Sequence, residues 1–164
     1  GTVWSTIEKN IDRISQEDIM FNISPTINLF NVKTTPKFVD WLRGKGLHMG
    51  KIHLNNVLTN PQWYHVNALL DSDKQEIKES FEQHINSIAN VNERQDLKNK
   101  YDSISSYLKN DMDDKQLNFV RAKFCQVTDM LDKHRKESFV DTFPELQNFY
   151  QEAKQQYDKQ WTTL

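Results

Sequence analysis

Glycine and proline are distributed unevenly along this chain, and that constrains its architecture more than any other feature. All four glycines and three of the four prolines (Pro25, Pro36 and Pro61) precede residue 71; beyond it there is no glycine and only Pro144. These residues punctuate short elements. Residues 1–70 therefore predict a mixed α/β region, and residues 71–164 a nearly all-helical region packed on it. The 164 residues, 37% of them hydrophobic and 27% charged, suffice for a real hydrophobic core.

The first region opens with "STIEKNIDRI", in which Ser5 and Glu8 have capping-box spacing and Ile7, Ile11 and Ile14 share a helical face. "FNISPTINLFN" follows. In an extended chain Ile23, Ile27 and Leu29 lie on one side and Ser24, Thr26 and Asn28 on the other, so one face is apolar and one is neutral and polar. Solvent-facing strands more often carry Lys, Glu or Arg, which makes the uncharged face a candidate ligand surface, weighed against a face that merely satisfies its own backbone. "TTPKFVDWLRGKG" predicts a helix with Thr35 as N-cap, Pro36 in first position and Gly44 or Gly46 at the end. "KIHLNNVL" alternates again, Ile52 and Leu54 opposing His53 and Asn55. Helix, strand, helix, strand with short connections predicts a parallel sheet covered by helices.

Four helices are predicted in the second region. Ser72 caps a stripe of Ile77, Phe81, Ile85 and Ile88. Leu97, Tyr101, Ile104 and Leu108 form the next, and Leu117, Val120, Phe124, Val127 and Leu131 the third. Thr142 caps a last helix near Pro144 that carries Leu146, Tyr150, Ala153 and Tyr157. Stripes of this kind are packing faces.

Several function classes find no support. Net charge is −2, and neither region has the basic excess of a nucleic-acid footprint: residues 1–70 hold 7 Lys/Arg against 5 Asp/Glu, and residues 71–164 hold 14 against 18. The run Lys133-His134-Arg135-Lys136 reads as a solvated helix face. No apolar run approaches the roughly 20 residues of a spanning helix, and no signal peptide is visible. The one cysteine, Cys125, suits a reducing compartment and a buried structural thiol. These features predict a cytoplasmic protein with no membrane or nucleic-acid partner. His48, His53, His84 and His134 have no metal-ligand spacing, and no glycine-rich phosphate loop is present. The first residue is Gly rather than Met, which suggests a fragment or a processed piece.

In order, "GTVWSTIEKNIDRI", "ISPTINLFNVKTTPKFVDWL", "HLNNVLTNPQWYHVNALL" and "MLDKHRKESFVDTFPEL" resemble the C-terminal half of the twitch-domain radical S-adenosylmethionine proteins of bacteria and bacteriophages. The resemblance runs from Gly1 to about Leu146. It implies the last part of a partial (β/α) barrel followed by a helical tail. It also implies an enzyme that cleaves S-adenosylmethionine at a [4Fe–4S] cluster to a 5′-deoxyadenosyl radical, which takes hydrogen from an unknown small-molecule or peptide substrate. Ser24, Thr26, Asn28 and Asn31 would then line the lumen beside the cofactor, and Asn55, Asn56, Trp63 and Tyr64 the substrate side. No CxxxCxxC motif occurs here, so the cluster cysteines would precede Gly1 and this chain alone would be inert, with no cofactor bound. The alternative is a non-catalytic helical interaction module, such as a phage accessory protein.

Overall fold

Both alternating segments adopt extended backbone, but neither becomes a strand. A computed structural model describes residues 3–17, 19–109 and 112–161, with side chains to 159. Gly1 and Thr2, which open the first quoted segment, lie outside them, as do residues 18, 110, 111 and 162–164. The segments around Ile23 and Ile52 run parallel and touch at two isolated bridges, Ile23 with Ile52 and Ile27 with Val57. Ile23 donates to Lys51 O and accepts from His53 N–H, and Ile27 donates to Asn56 O and accepts from Leu58 N–H, all at 2.8 Å.

Two residues explain why the ladder stops there. Pro25, midway between the bridges, has no N–H to donate. The register also slips: Ile23 pairs 29 positions ahead and Ile27 pairs 30 ahead, so the second segment carries one extra residue, as at a β-bulge. That residue is visible as adjacent exposed asparagines, Asn55 and Asn56, between buried Leu54 and Val57. Two such segments cannot make a sheet. The predicted α/β class, with its sheet and barrel, is thereby corrected: among the described residues the protein is helical, with no strand, sheet or lumen.

Seven α-helices follow in order: α1 Trp4–Gln16, α2 Thr35–Gly44, α3 Asp71–Ser87, α4 Val91–Ser106, α5 Asp114–Arg135, α6 Phe139–Thr142 and α7 Gln147–Trp161. Single 3-10 turns at Met49–Lys51, Gln62–Tyr64, Val66–Ala68 and Pro144–Leu146 shape the connections. Most of the predicted stripes enter the core, although Leu117, Val127 and Leu131 stay half-buried. Ile77, Phe81, Leu97, Tyr101, Ile104, Val120 and Phe124 are buried in one cluster with Ile27, Leu29, Ile52 and Leu54 from the extended segments. Each such side chain contributes about 1.5–3 kcal/mol on leaving water. α5 packs most extensively on α7, through Phe124 and Phe149, whose ring centroids lie 4.9 Å apart.

Helix starts differ from expectation. α1 begins at Trp4 without a side-chain cap, so Ser5 lies inside it, and all its isoleucines stay half-buried. α2 begins at Thr35 after an uncapped Thr34. α3 starts at Asp71 rather than after Ser72, with the Asp73 carboxylate accepting Leu70 N–H at 3.3 Å. Ser138, not Thr142, caps in the fourth stretch, and Thr142 Oγ1 instead donates to Ser138 O at 2.9 Å. The two compositional regions are tied by polar contacts as well. Arg121 on α5, only 9% exposed, donates through Nε to Ala68 O and through Nη2 to Leu69 O, both at 2.8 Å.

Candidate functional site

α5 ends in a turn that builds one wall of a pocket. Lys136 adopts the left-handed conformation (φ 58°) and closes the helix with its N–H on Asp132 O. The Asp132 carboxylate reaches past that turn to accept Phe139 N–H at 2.8 Å. Ser138 then caps α6, accepting Asp141 N–H at 3.3 Å. Two side chains thus satisfy the backbone of a reversal that would otherwise leave its donors bare. The reversal carries Phe139 and Phe143 back over Phe30, which follows the first extended segment, and Tyr64, from the 3-10 turn after the second.

These four rings surround a cavity of about 320 Å³. Ring centroids lie 5.0 Å apart for Phe30 and Tyr64, 5.2 Å for Phe30 and Phe143, and 5.3 Å for Phe139 and Phe143. Such offset spacing is normal for packed aromatics. Thr128, Leu131, Asp132, Arg135, Glu137 and Thr142 complete the lining. Thr128 is 5% exposed, yet its hydroxyl makes no hydrogen bond to a described residue. The one completely enclosed polar side-chain atom without a partner among the described residues is Trp63 Nε1. The Thr128 hydroxyl is therefore not fully enclosed, and Thr128 is one of the residues that line this cavity. Arg135 and Glu137 are exposed at the rim and form no ion pair with described residues.

The neutral polar face is placed differently from expectation. Ser24 and Thr26 are exposed to solvent, and the described residues form no lumen for them to line. Thr26 Oγ1 accepts from Asn56 Nδ2 at 2.9 Å. Asn28 and Asn31 hold a turn: Asn28 Oδ1 accepts Phe30 N–H, Asn31 Oδ1 accepts Asn28 N–H, and Asn31 Nδ2 donates to Thr26 O, all at 2.9 Å. The Asn28 amide oxygen and both ends of the Asn31 amide are thus spent on backbone, a common use of Asn. Asn55 and Asn56 are exposed, while Trp63 is half-buried beside Tyr64 and under the Lys123 ammonium, 6.0 Å from the ring centroid. Of the eight expected site residues, Tyr64 alone lines the aromatic cavity. Two lining residues outside that set carry a sequence signal: Phe30, a phenylalanine that breaks the alternation, and Thr128, a lone hydroxyl on the apolar side of α5.

A second polar constellation is structural. Asp40 on α2, His84 on α3 and Tyr101 on α4 are linked by contacts of 3.0 Å and 2.6 Å. A carboxylate only accepts, so His84 Nε2–H donates to it, while Nδ1 meets the phenol oxygen. Tyr101 is 1% exposed and stacks on Phe81 at 3.9 Å, and burial pushes its phenol far above the usual value. No substrate reaches it.

An iron–sulfur cluster does not fit this chain. Cys125 is completely buried, and burial, with Asp129 beside it, pushes its thiol up to about 12. Among the described residues no group of three His, Cys, Asp or Glu side chains could hold a metal ion, and none of the helices is long and apolar enough to cross a membrane. Comparison with known protein families, curated proteins and solved structures gives no match.

Proposed function

We propose that the chain belongs to a radical S-adenosylmethionine enzyme and contributes its substrate side rather than its radical-generating centre. One observation carries the reading. Three of the four segments that resemble that family supply the lining of a single cavity: Phe30 from the second of them, Tyr64 from the third, and most of the remainder, from Leu131 to Phe143, from the fourth. Its size falls within the range of small-molecule sites, and apolar walls with a few placed polar groups suit a bound substrate. The exposed hydroxyls of Ser24 and Thr26 can donate to a nucleoside, while the Asn31 amide is taken by backbone. The reading assigns no barrel to this chain, and it requires cluster cysteines supplied by polypeptide other than these residues.

The test uses the natural protein, reconstituted anaerobically with iron and sulfide and given S-adenosylmethionine and a reductant. 5′-Deoxyadenosine is the expected product, and its absence from protein with a full cluster content overturns the reading. So does a gene that encodes no CxxxCxxC segment ahead of Gly1. The protein is then better described as a non-catalytic helical interaction module.

A further inference from the structure

We infer that the aromatic cavity at the end of α5 binds a free aromatic α-amino acid carrying a ring hydroxyl, with tyrosine as the type. The inference names a ligand for the site proposed above, but it needs only the cavity and not the radical chemistry. Three features of the lining select three parts of such a molecule. The rings of Phe30, Tyr64, Phe139 and Phe143 accept a flat apolar group of similar size, and a cavity of about 320 Å³ holds one such ring with its side chain. Thr128 is nine-tenths buried, lines the cavity, and has a hydroxyl bound to no described residue. A ligand that covers Thr128 without offering it a partner leaves that hydroxyl bare, so a ligand that brings its own hydroxyl is preferred over one that does not.

The rim selects the other end. Arg135 offers a guanidinium and Glu137 a carboxylate, each without an ion-pair partner among the described residues. Asp132, one of whose carboxylate oxygens is taken by Phe139 N–H, adds a second negative group. Lys136 lies between Arg135 and Glu137 in the left-handed conformation, so the chain reverses between the two charges. A carboxylate and an ammonium on one carbon match a rim bearing both signs. A simple phenol, an aromatic acid or an aromatic amine satisfies only part of it. Rim charges in water are weak individually, so the ring and hydroxyl carry most of the affinity and the charges decide among ligands.

Titration of the isotope-labelled protein, followed by two-dimensional NMR, tests this. L-Tyrosine at millimolar concentration is expected to saturate and to shift the amides of Thr128, Leu131 and Phe139. Tyramine and 3-(4-hydroxyphenyl)propionate, each lacking one charge, bind at least threefold more weakly. Thr128→Val, nearly isosteric, lowers tyrosine affinity five- to tenfold and phenylalanine affinity less than twofold; Arg135→Ala, an exposed change, weakens tyrosine at least threefold and leaves tyramine unchanged. N-acetyltyrosine and tyrosinamide stand for the aromatic residue at a peptide's C- or N-terminus, and both bind more weakly than the free amino acid. The inference fails if tyrosine leaves these amides unmoved, if the singly charged analogues or peptide-end mimics bind as well, or if Thr128→Val weakens tyrosine and phenylalanine alike. None of these measurements involves iron or a reductant, so the ligand and the radical chemistry can fail separately.

Discussion

Lys33 shows how one side chain can hold distant parts of this molecule. It is 11% exposed at its side chain and donates to Asp73 at 2.7 Å, Glu76 at 2.8 Å and the Glu145 carbonyl at 3.2 Å. Asp73 is itself only 8% exposed at its side chain, so Lys33→Met leaves a buried carboxylate without its cation. The expected loss is about 2–3 kcal/mol, below that of a wholly buried pair because Glu76 is in water. Chemical denaturation measures it. Burial lowers the Lys33 ammonium, but hydrogen bonds to Asp73 and Glu76 outweigh it and hold the group above its usual value of 10.5. The folded state therefore binds this proton more tightly than the unfolded chain. Its contribution is complete below 10.5 and is lost as pH rises through the higher folded value. The stability gap between wild type and Lys33→Met is thus expected to narrow in strongly alkaline buffer. Lys136 offers the opposite case. A β-carbon at φ 58° is strained, and Lys136→Gly should raise stability by about 0.5–1 kcal/mol, read as a higher denaturation midpoint.

Among the elements, α5 organises the rest. It packs on α7, walls the aromatic cavity and, through Arg121, satisfies the carbonyls of Ala68 and Leu69. Burial lowers Arg121, and the carboxylates of Asp71, Glu152 and Asp73 act against that. Arg121→Met keeps the apolar stem but leaves two carbonyls bare, at an expected cost of about 2–4 kcal/mol. Hydrogen exchange is expected to quicken at residues 66–69 before it does in α3 or α4. The helices themselves were legible because their apolar residues recur with the helical period, which fixes the buried face whatever the neighbours. Their starts were not. Asp73 serving Leu70, or Ser138 serving Asp141, is a choice among several nearby side chains that tertiary packing decides. The extended segments misled for a related reason: alternation predicts which side chains are buried, and does so correctly here. It does not count ladder hydrogen bonds, and Pro25 and the Asn55–Asn56 pair remove those.

For the whole molecule, the site was less readable than the fold. The cavity joins Phe30, Tyr64 and the Leu131–Phe143 stretch, which are far apart in sequence and none of which resembles a catalytic motif. Only the resemblance drew attention to all three, and the polar groups it singled out at Ser24, Thr26, Asn28 and Asn31 do not line the cavity. The same long reach has a consequence in the making of the protein. The bond from Lys33 to Glu145 spans 112 positions. Synthesis at roughly 5–20 residues per second puts the second of these residues on the chain about 6–22 s after the first. Until then Lys33 cannot reach this carbonyl, and the region around it leaves the ribosome without that tie.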